Sequence, residues 1–291
     1  MACITFGENK KRDVVLIGRV TLDFNPNEMN RTLDKVKTFS MYLGGSPGNM
    51  AVGINKLGKS VGFIGCISDD QFGDFVLNYF NDRGIDTSQM VRARHGERMG
   101  LTFTEIKSPT ESSILMYRDK VADLQITPQD VDEQYIADSK ILIISGTALS
   151  ASPSREACLI AAQYAKKHNT RIIFDIDYRP YSWQSKEEIS IYYSLVAGMS
   201  DVVIGSRDEV NLTELLAEDA AEPADHVLAE KYNVSDTTIA AAWILRHPAN
   251  MQIITGTASE SRLKEIIAAC EITLTREEWY ELYLAAGHPL P

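Results

Sequence analysis

The first two thirds of the chain alternate short β-branched apolar runs with longer stretches whose apolar positions recur at helical spacing. This pattern predicts parallel strands joined by crossover helices. Val14–Ile17, Val61–Ile67, Ile141–Ser145, Arg171–Phe174 and Val202–Ile204 read as buried strands. Asn49–Leu57, Phe72–Arg83 and Ser154–Lys167 read as helices, the last with Ser152 as N-cap and Pro153 at the first helical position. Leu22–Tyr42 and Arg98–Tyr117 break the rhythm: richer in Thr, Phe, Ser and Met and partly alternating, they predict a small antiparallel lid outside the main sheet.

The texture changes after about Leu215. An acidic, Ala-rich stretch closed by a proline, Leu216 to Asp225, reads as a junction. Beyond it the pattern predicts helices around Val227–Tyr232 and Thr237–Arg246, a strand Gln252–Thr255 and a helix Ser259–Cys270. A last helix is opened by Thr275-Arg-Glu-Glu278, which has the form of a capping box. There is no internal repeat and no low-complexity tract.

Composition narrows the field of partners. With 29 Lys+Arg against 40 Asp+Glu and a net charge of -11, the chain is poorly suited to a phosphate backbone or an anionic membrane surface. No apolar run approaches the roughly 18 residues of a membrane helix, and Met1 to Arg12 is too polar for the core of a signal peptide. A cytosolic protein is therefore expected. Cys3, Cys66, Cys158 and Cys270 are scattered without a Cys-x-x-Cys pair, so neither a zinc site nor a disulfide framework is expected. The distribution of residues is more informative than the totals. Residues 1–215 hold 24 basic and 28 acidic side chains, and residues 216–291 hold 5 and 12. Of the 18 glycines, 16 lie at or before Gly205, and only Gly256 and Gly287 follow.

Candidate chemistry gathers at predicted strand ends. Leu43-Gly-Gly-Ser-Pro-Gly-Asn-Met-Ala51 runs into a helix, and its glycines permit close approach of backbone N–H groups to a ligand. Asp23 is expected at the end of the first strand. Asp70-Gln-Phe-Gly73, Asp175 to Trp183, and Ser206-Arg-Asp-Glu209 follow later strands. Open α/β sheets bind ligands at such carboxyl ends. Taken singly, these residues have structural readings too. Asp23 could cap a turn, Arg179 could pair with Asp175 or Asp177, and Glu209 could be a solvated helix-start carboxylate.

Gly44-Gly-Ser-Pro-Gly-Asn49, Ser113-Ile-Leu-Met-Tyr-Arg-Asp119, Ser145-Gly-Thr-Ala-Leu149, Asp177-Tyr-Arg-Pro-Tyr-Ser-Trp183 and Ser206-Arg-Asp-Glu209 occur in that order. With them, residues from about 13 to 214 resemble the PfkB or ribokinase family of carbohydrate kinases, in its branch acting on a sugar acid. The resemblance implies a ribokinase-like α/β fold, with a mostly parallel sheet, flanking helices and a small β lid from about residues 22–42 and 98–117. It implies ATP and Mg²⁺, a small sugar acid as acceptor, and a homodimer through the lid. It also implies that Asp23, Gly44, Gly45, Asn49 and Asp177 form the sugar pocket, with Arg118 meeting the acid's carboxylate. Arg179 would face phosphate, and Glu209 would help organise Mg²⁺ through water, without direct metal ligands. Ser68 stands where the wider family has Gly, and Asp177 and Ser206 where it has Asn; the last two suit the sugar-acid branch.

In that family a Gly-Ala-Gly-Asp turn at the start of a late helix supplies the anion hole and the catalytic base. A glycine-opened helix N-terminus suits that task. The sequence contains no such turn, so no catalytic residue is identified, and impaired or absent turnover is expected. Residues from about 223 to 291 resemble instead the C-terminal end of an aldo-keto reductase. That resemblance implies that Gly256, Thr257, Ser259 and Arg262 line the 2′-phosphate of NADPH; a capped helix with a solvent-facing Arg262 is the structural reading. His247, before Pro248, reads as a helix-end histidine. The chain thus divides into a kinase-like part, 1–215, and a mainly helical reductase-like segment, 216–291. Three readings follow: a sugar-acid kinase, an NADPH-dependent oxidoreductase, or a non-catalytic chimeric chain.

Overall fold

The computed structural model describes residues 5–7, 10–213, 222–247, 253 and 260–285. Ten strands are described: β1 (Arg12–Ile17), β2 (Thr21–Pro26), β3 (Phe39–Gly44), β4 (Val61–Ile67), β5 (Asp86–Arg92), β6 (Gly100–Ser108), β7 (Glu111–Tyr117), β8 (Ser139–Ser145), β9 (Arg171–Asp175) and β10 (Val202–Ile204). The helices are α1 (Ser46–Lys56), α2 (Gln71–Asn81), α3 (Glu133–Ala137), α4 (Ser154–Lys167), α5 (Lys186–Met199), α6 (Arg207–Thr213), α7 (Glu222–Tyr232), α8 (Asp236–Arg246), α9 (Glu260–Ala268) and α10 (Arg276–Ala285). The chain divides into two compact units, the first Met1–Ile173 with Asp177–Ser182, the second Phe174–Ile176 with Trp183–Pro291. The compositional junction at 216–225 lies inside the second unit, and residues 214–221 are outside the described set.

In the first unit the main sheet runs in the order β9-β8-β1-β4-β5, and β1 pairs parallel with both β4 and β8. The five strands predicted in the first two thirds of the chain are all present. Every residue of β4 is buried, as its unbroken apolar run requires for a strand covered on both faces. Leu16, Phe63, Val76 and Phe80 join in one core, with the Phe63 and Phe80 rings 5.2 Å apart. β5 was not predicted: Asp86-Thr-Ser-Gln-Met-Val-Arg92 is a polar edge strand, paired in parallel with β4, and carries no apolar run to announce it.

The lid is a four-stranded sheet in the order β3-β2-β6-β7. Its hairpin β6–β7 and its β2–β3 pair are antiparallel, but β2 and β6 are parallel, which corrects the all-antiparallel expectation. The cause is connectivity. β1 and β5 point the same way in the main sheet, and the chain leaves the carboxyl end of each to enter β2 and β6, so these two strands run in the same direction.

Helix starts follow local chemistry. α1 begins at Ser46, three residues before the expected Asn49, because Gly45 turns the chain at φ 86° and Pro47 fits the first turn. The Asp70 carboxylate accepts from the N–H groups of Phe72 and Gly73, so this strand-end residue is a helix cap. α4 begins at Ser154 as expected, but Pro153 holds the N-cap position and Ser152 Oγ donates to Glu156 Oε1 at 2.7 Å instead.

In the second unit Ile176 N–H donates to Ile204 O, joining the end of β9 to β10, and Phe174 packs on Tyr193 of α5. The C-terminal helices have a core of their own around Leu228, Ile239, Leu274 and Leu282. Trp243 and Trp279 stack at 5.1 Å, and each indole N–H donates to the other residue's carbonyl. His247 is the C-cap of α8, its expected place. The predicted strand 252–255 falls on residues outside the described set, except Ile253, which is in no strand. The capping box opening α10 is present: Thr275 N–H donates to Glu278 Oε2 at 2.6 Å, and Glu278 N–H to Thr275 Oγ1 at 3.2 Å. Glu278 also accepts from Lys231 Nζ at 2.5 Å and Tyr232 OH at 2.7 Å.

Burial pushes the Glu278 carboxyl up, but Lys231, the Thr275 N–H and Tyr232 outweigh it and hold the group at about 2, below its ordinary 4.5. A depressed folded value contributes stability that is fully present above pH 4.5 and lost as pH falls toward 2. Thermal melts followed by circular dichroism between pH 6 and pH 2.5 should therefore show a falling midpoint for the C-terminal helices. Glu278→Gln should flatten that dependence.

Candidate sugar pocket

One cavity of about 740 Å³ lies within the first unit. Its wall from the lid is one face of the sheet. Register sets Asp23 of β2 beside Thr102 of β6, and Thr102 beside Met116 of β7, and all three line the cavity. Asp23 is therefore a lid residue in the second strand, not at the end of the first as expected. Thr21 precedes it on the same face, as alternation along a strand requires.

The Gly44-Gly45 pair explains how Asp23 fits. A side chain at Gly44 would overlap the Asp23 carboxylate, and one at Gly45 would sit 2.8 Å from Arg19 O in a left-handed backbone conformation. The two glycines let β3 and the start of α1 close against residues 19–23, bringing Gly45, Ser46 and Asn49 to the cavity. Burial pushes the Asp23 carboxyl up from 3.8, against the hydroxyls of Thr102 and Thr21 and the charge of Arg19. Such a group exchanges hydrogen bonds with sugar hydroxyls readily, because its own partners are few: Thr21 Oγ1 is 3.4 Å away.

Beside Ile114 and Met116, the cavity is lined by the cationic side chains Arg19, Arg118 and Arg179. Arg118, immediately after β7, makes a two-pronged pair with Asp123 at 3.3 and 2.7 Å, with side chains 10% and 2% exposed. It reaches the cavity already neutralised, a restraint the sequence did not reveal. Arg179 pairs with Asp177 at 2.6 Å, one of the structural readings open in the sequence, and its Nη1 donates to Tyr178 O. Arg179 and Arg118 both line the cavity, whereas Asp177 is buried behind it. Asp177 has φ 38° and accepts from Ser145 Oγ at 3.4 Å, so the Ser145-Gly-Thr-Ala-Leu149 motif is a buried turn that seats Asp177.

Arg19, Thr21, Ser46, Thr102 and Tyr181 line the cavity and were missed. For Arg19 a signal was present: it is a single charge inside the run Val14-Val-Leu-Ile-Gly-Arg-Val20, which otherwise reads as core.

Glu209 belongs to the second unit, where its Oε2 accepts from Ser206 N–H at 2.7 Å and Ser206 Oγ accepts from Glu209 N–H at 3.3 Å. The Ser-Arg-Asp-Glu motif is thus a helix-start box on α6, as the structural reading had it. Of the NADPH residues, Gly256, Thr257 and Ser259 lie outside the described set, and Arg262 is exposed on α9. Among the described residues no helix is long and apolar enough to cross a membrane, and no group of acidic, His or Cys side chains could hold a metal ion.

Residues 11–240 match the family model for pfkB family carbohydrate kinases. The chain is 61% identical over 232 residues to a 5-dehydro-2-deoxygluconokinase of Clostridium tetani, covering 80% of this chain and 68% of that one. It is 56% identical over 210 residues to a 5-dehydro-2-deoxygluconokinase of Bacillus subtilis, covering 72% and 65%. Among solved structures, a sugar kinase of Pyrococcus horikoshii in complex with ATP superimposes with a TM-score of 0.60 at 26% identity, over 69% of this chain and 66% of that one. The chain thus spans about two thirds of the length of these relatives.

Proposed function

Because the chain belongs to the pfkB family of carbohydrate kinases, we propose that the cavity of its first unit is the acceptor site for 5-dehydro-2-deoxygluconate or a closely similar sugar acid. The observation that carries this reading is the combination in one cavity of hydroxyl-binding groups, Asp23 and Asn49, with the guanidinium groups of Arg19, Arg118 and Arg179. A polyhydroxylated acid requires both kinds of partner. The similarity to the 5-dehydro-2-deoxygluconokinase of Clostridium tetani supports the choice of acid.

In this reading Mg²⁺-ATP is the co-substrate. Arg179, 40% exposed, is the cation on the phosphate side. The reaction moves the γ-phosphoryl group to an acceptor hydroxyl, which must lose its proton. Asp23 holds hydroxyls in this scheme and is not the base. The family's Gly-Ala-Gly-Asp turn does not occur in these 291 residues, so binding without appreciable turnover is the expected behaviour of the chain. Residues 1–215 then form the kinase-derived part, and 216–291 a reductase-like segment packed around its own core. Pairing of two copies through the lid is part of the same reading, supported by the exposed Leu115 and Tyr117 on β7.

Isothermal titration of the purified chain with 5-dehydro-2-deoxygluconate tests the proposal. Saturable binding at one site per chain is expected, and no binding at millimolar acid would overturn it.

A further inference from the structure

We propose that Arg19 is the residue that makes this cavity select an acid over a neutral sugar. The inference rests on the acceptor-site reading above and departs from the role that the family resemblance gives to Arg118.

The reasoning is an account of donors. A guanidinium carries five N–H donors and no acceptor. Arg19 is 4% exposed, so water supplies few partners. Its Nη1 donates to Tyr181 OH at 3.3 Å, at the long end of the range, and its Nε has no partner. Nη2 lies 3.7 Å from Asp177 Oδ2, beyond hydrogen-bond reach. That carboxylate is shared, because Arg179 holds Oδ1 at 2.6 Å. One carboxylate thus faces two guanidinium groups, and Arg19 has the weaker claim on it. Buried cations left short of partners are costly, and natural structures rarely keep one without a purpose.

Arg118 is in the opposite condition. Both its Nη atoms bond to Asp123, whose side chain is almost fully buried, so a substrate carboxylate would have to compete with a partner already in place. Arg19 has donors to spare, and it is presented rigidly: it follows β1, and Gly45 packs against its carbonyl. It also lines the same cavity as Thr21 and Asp23, which follow it two and four residues along the chain. The anion it takes is accordingly the carboxylate of the molecule whose hydroxyls meet Asp23.

The test compares 5-dehydro-2-deoxygluconate with its primary amide, by titration against the natural chain, Arg19→Met and Arg118→Met. The natural chain should prefer the acid by about 10- to 100-fold, the scale of a hydrogen-bonded charge pair. Arg19→Met should erase that preference by weakening the acid and leaving the amide within about threefold. Arg118→Met should keep the preference even where affinity falls. Retention of the preference in Arg19→Met would overturn the inference and leave the acceptor-site reading standing; failure of the natural chain to bind either compound would remove both. Should Arg19→Met not fold, the ¹⁵Nε–H resonance of Arg19, assigned by its loss in Arg19→Lys, serves instead. A shift with the acid and not with the amide supports the inference, and no shift with the acid contradicts it.

Discussion

Asp23→Ala is expected to weaken binding of the sugar acid by about 10²- to 10⁴-fold while leaving the protein at least as stable as before. The loss follows from the two hydrogen bonds to hydroxyls that one carboxylate supplies, each worth about 1.5–3 kcal/mol when charged. The stability expectation follows from the sign of the Asp23 shift. Burial raises its folded value above 3.8, so the folded state is penalised once the group ionises, and that penalty is present at neutral pH. Alanine removes the penalty together with the function. A paired measurement by titration and thermal melting decides the matter: lost affinity with a lowered melting temperature would mark Asp23 as a structural residue. Stability given up at a binding site in this way is common where a cavity must hold charge ready for a ligand.

The frame was legible in the sequence because it obeys period and burial. Strand β4 is an uninterrupted apolar run, and α4 has apolar residues at helical spacing, its expected bounds matching those observed. Chain order and connectivity were not legible in the same way. The parallel pairing of β2 with β6 depends on which edge of the main sheet each strand leaves, a three-dimensional fact that local alternation does not encode. The polar edge strand β5 carries no periodic signal at all.

Site residues divide along the same line. Gly44, Gly45, Asn49, Arg118, Asp177 and Arg179 were reached through motifs and Asp23 through its place after an apolar run; the cavity brings Asp23, Gly45, Asn49, Arg118 and Arg179 together, with Gly44 making room for Asp23 and Asp177 outside the lining. What motifs do not convey is who neutralises whom. Asp123 already pairs with both Nη atoms of Arg118, and Arg19 is left with an unpartnered Nε, although one is a motif residue and the other is embedded in an apparent core run. Asp70 caps α2, and Glu209 bonds back to Ser206 in the first turn of α6, local roles that a position after a strand does not announce.

The second large expectation concerns turnover. Phosphoryl transfer relies on positioned donors around the moving charge and on a group that accepts the attacking hydroxyl's proton. Loss of one anion-hole donor costs on the order of 10²–10³ in rate, and loss of a general base about 10²–10⁴. In the proposed reading the cavity of the first unit holds the acceptor and Arg179 faces phosphate, but the Gly-Ala-Gly-Asp turn that would supply the other two functions is not in the sequence. Binding and catalysis should therefore separate in this chain. The decisive measurement is ADP formation dependent on 5-dehydro-2-deoxygluconate, by coupled assay on homogeneous protein for which titration has established binding of the acid. ADP formation at background is the predicted result. Robust, acid-dependent ADP formation that disappears in Asp23→Ala would contradict it.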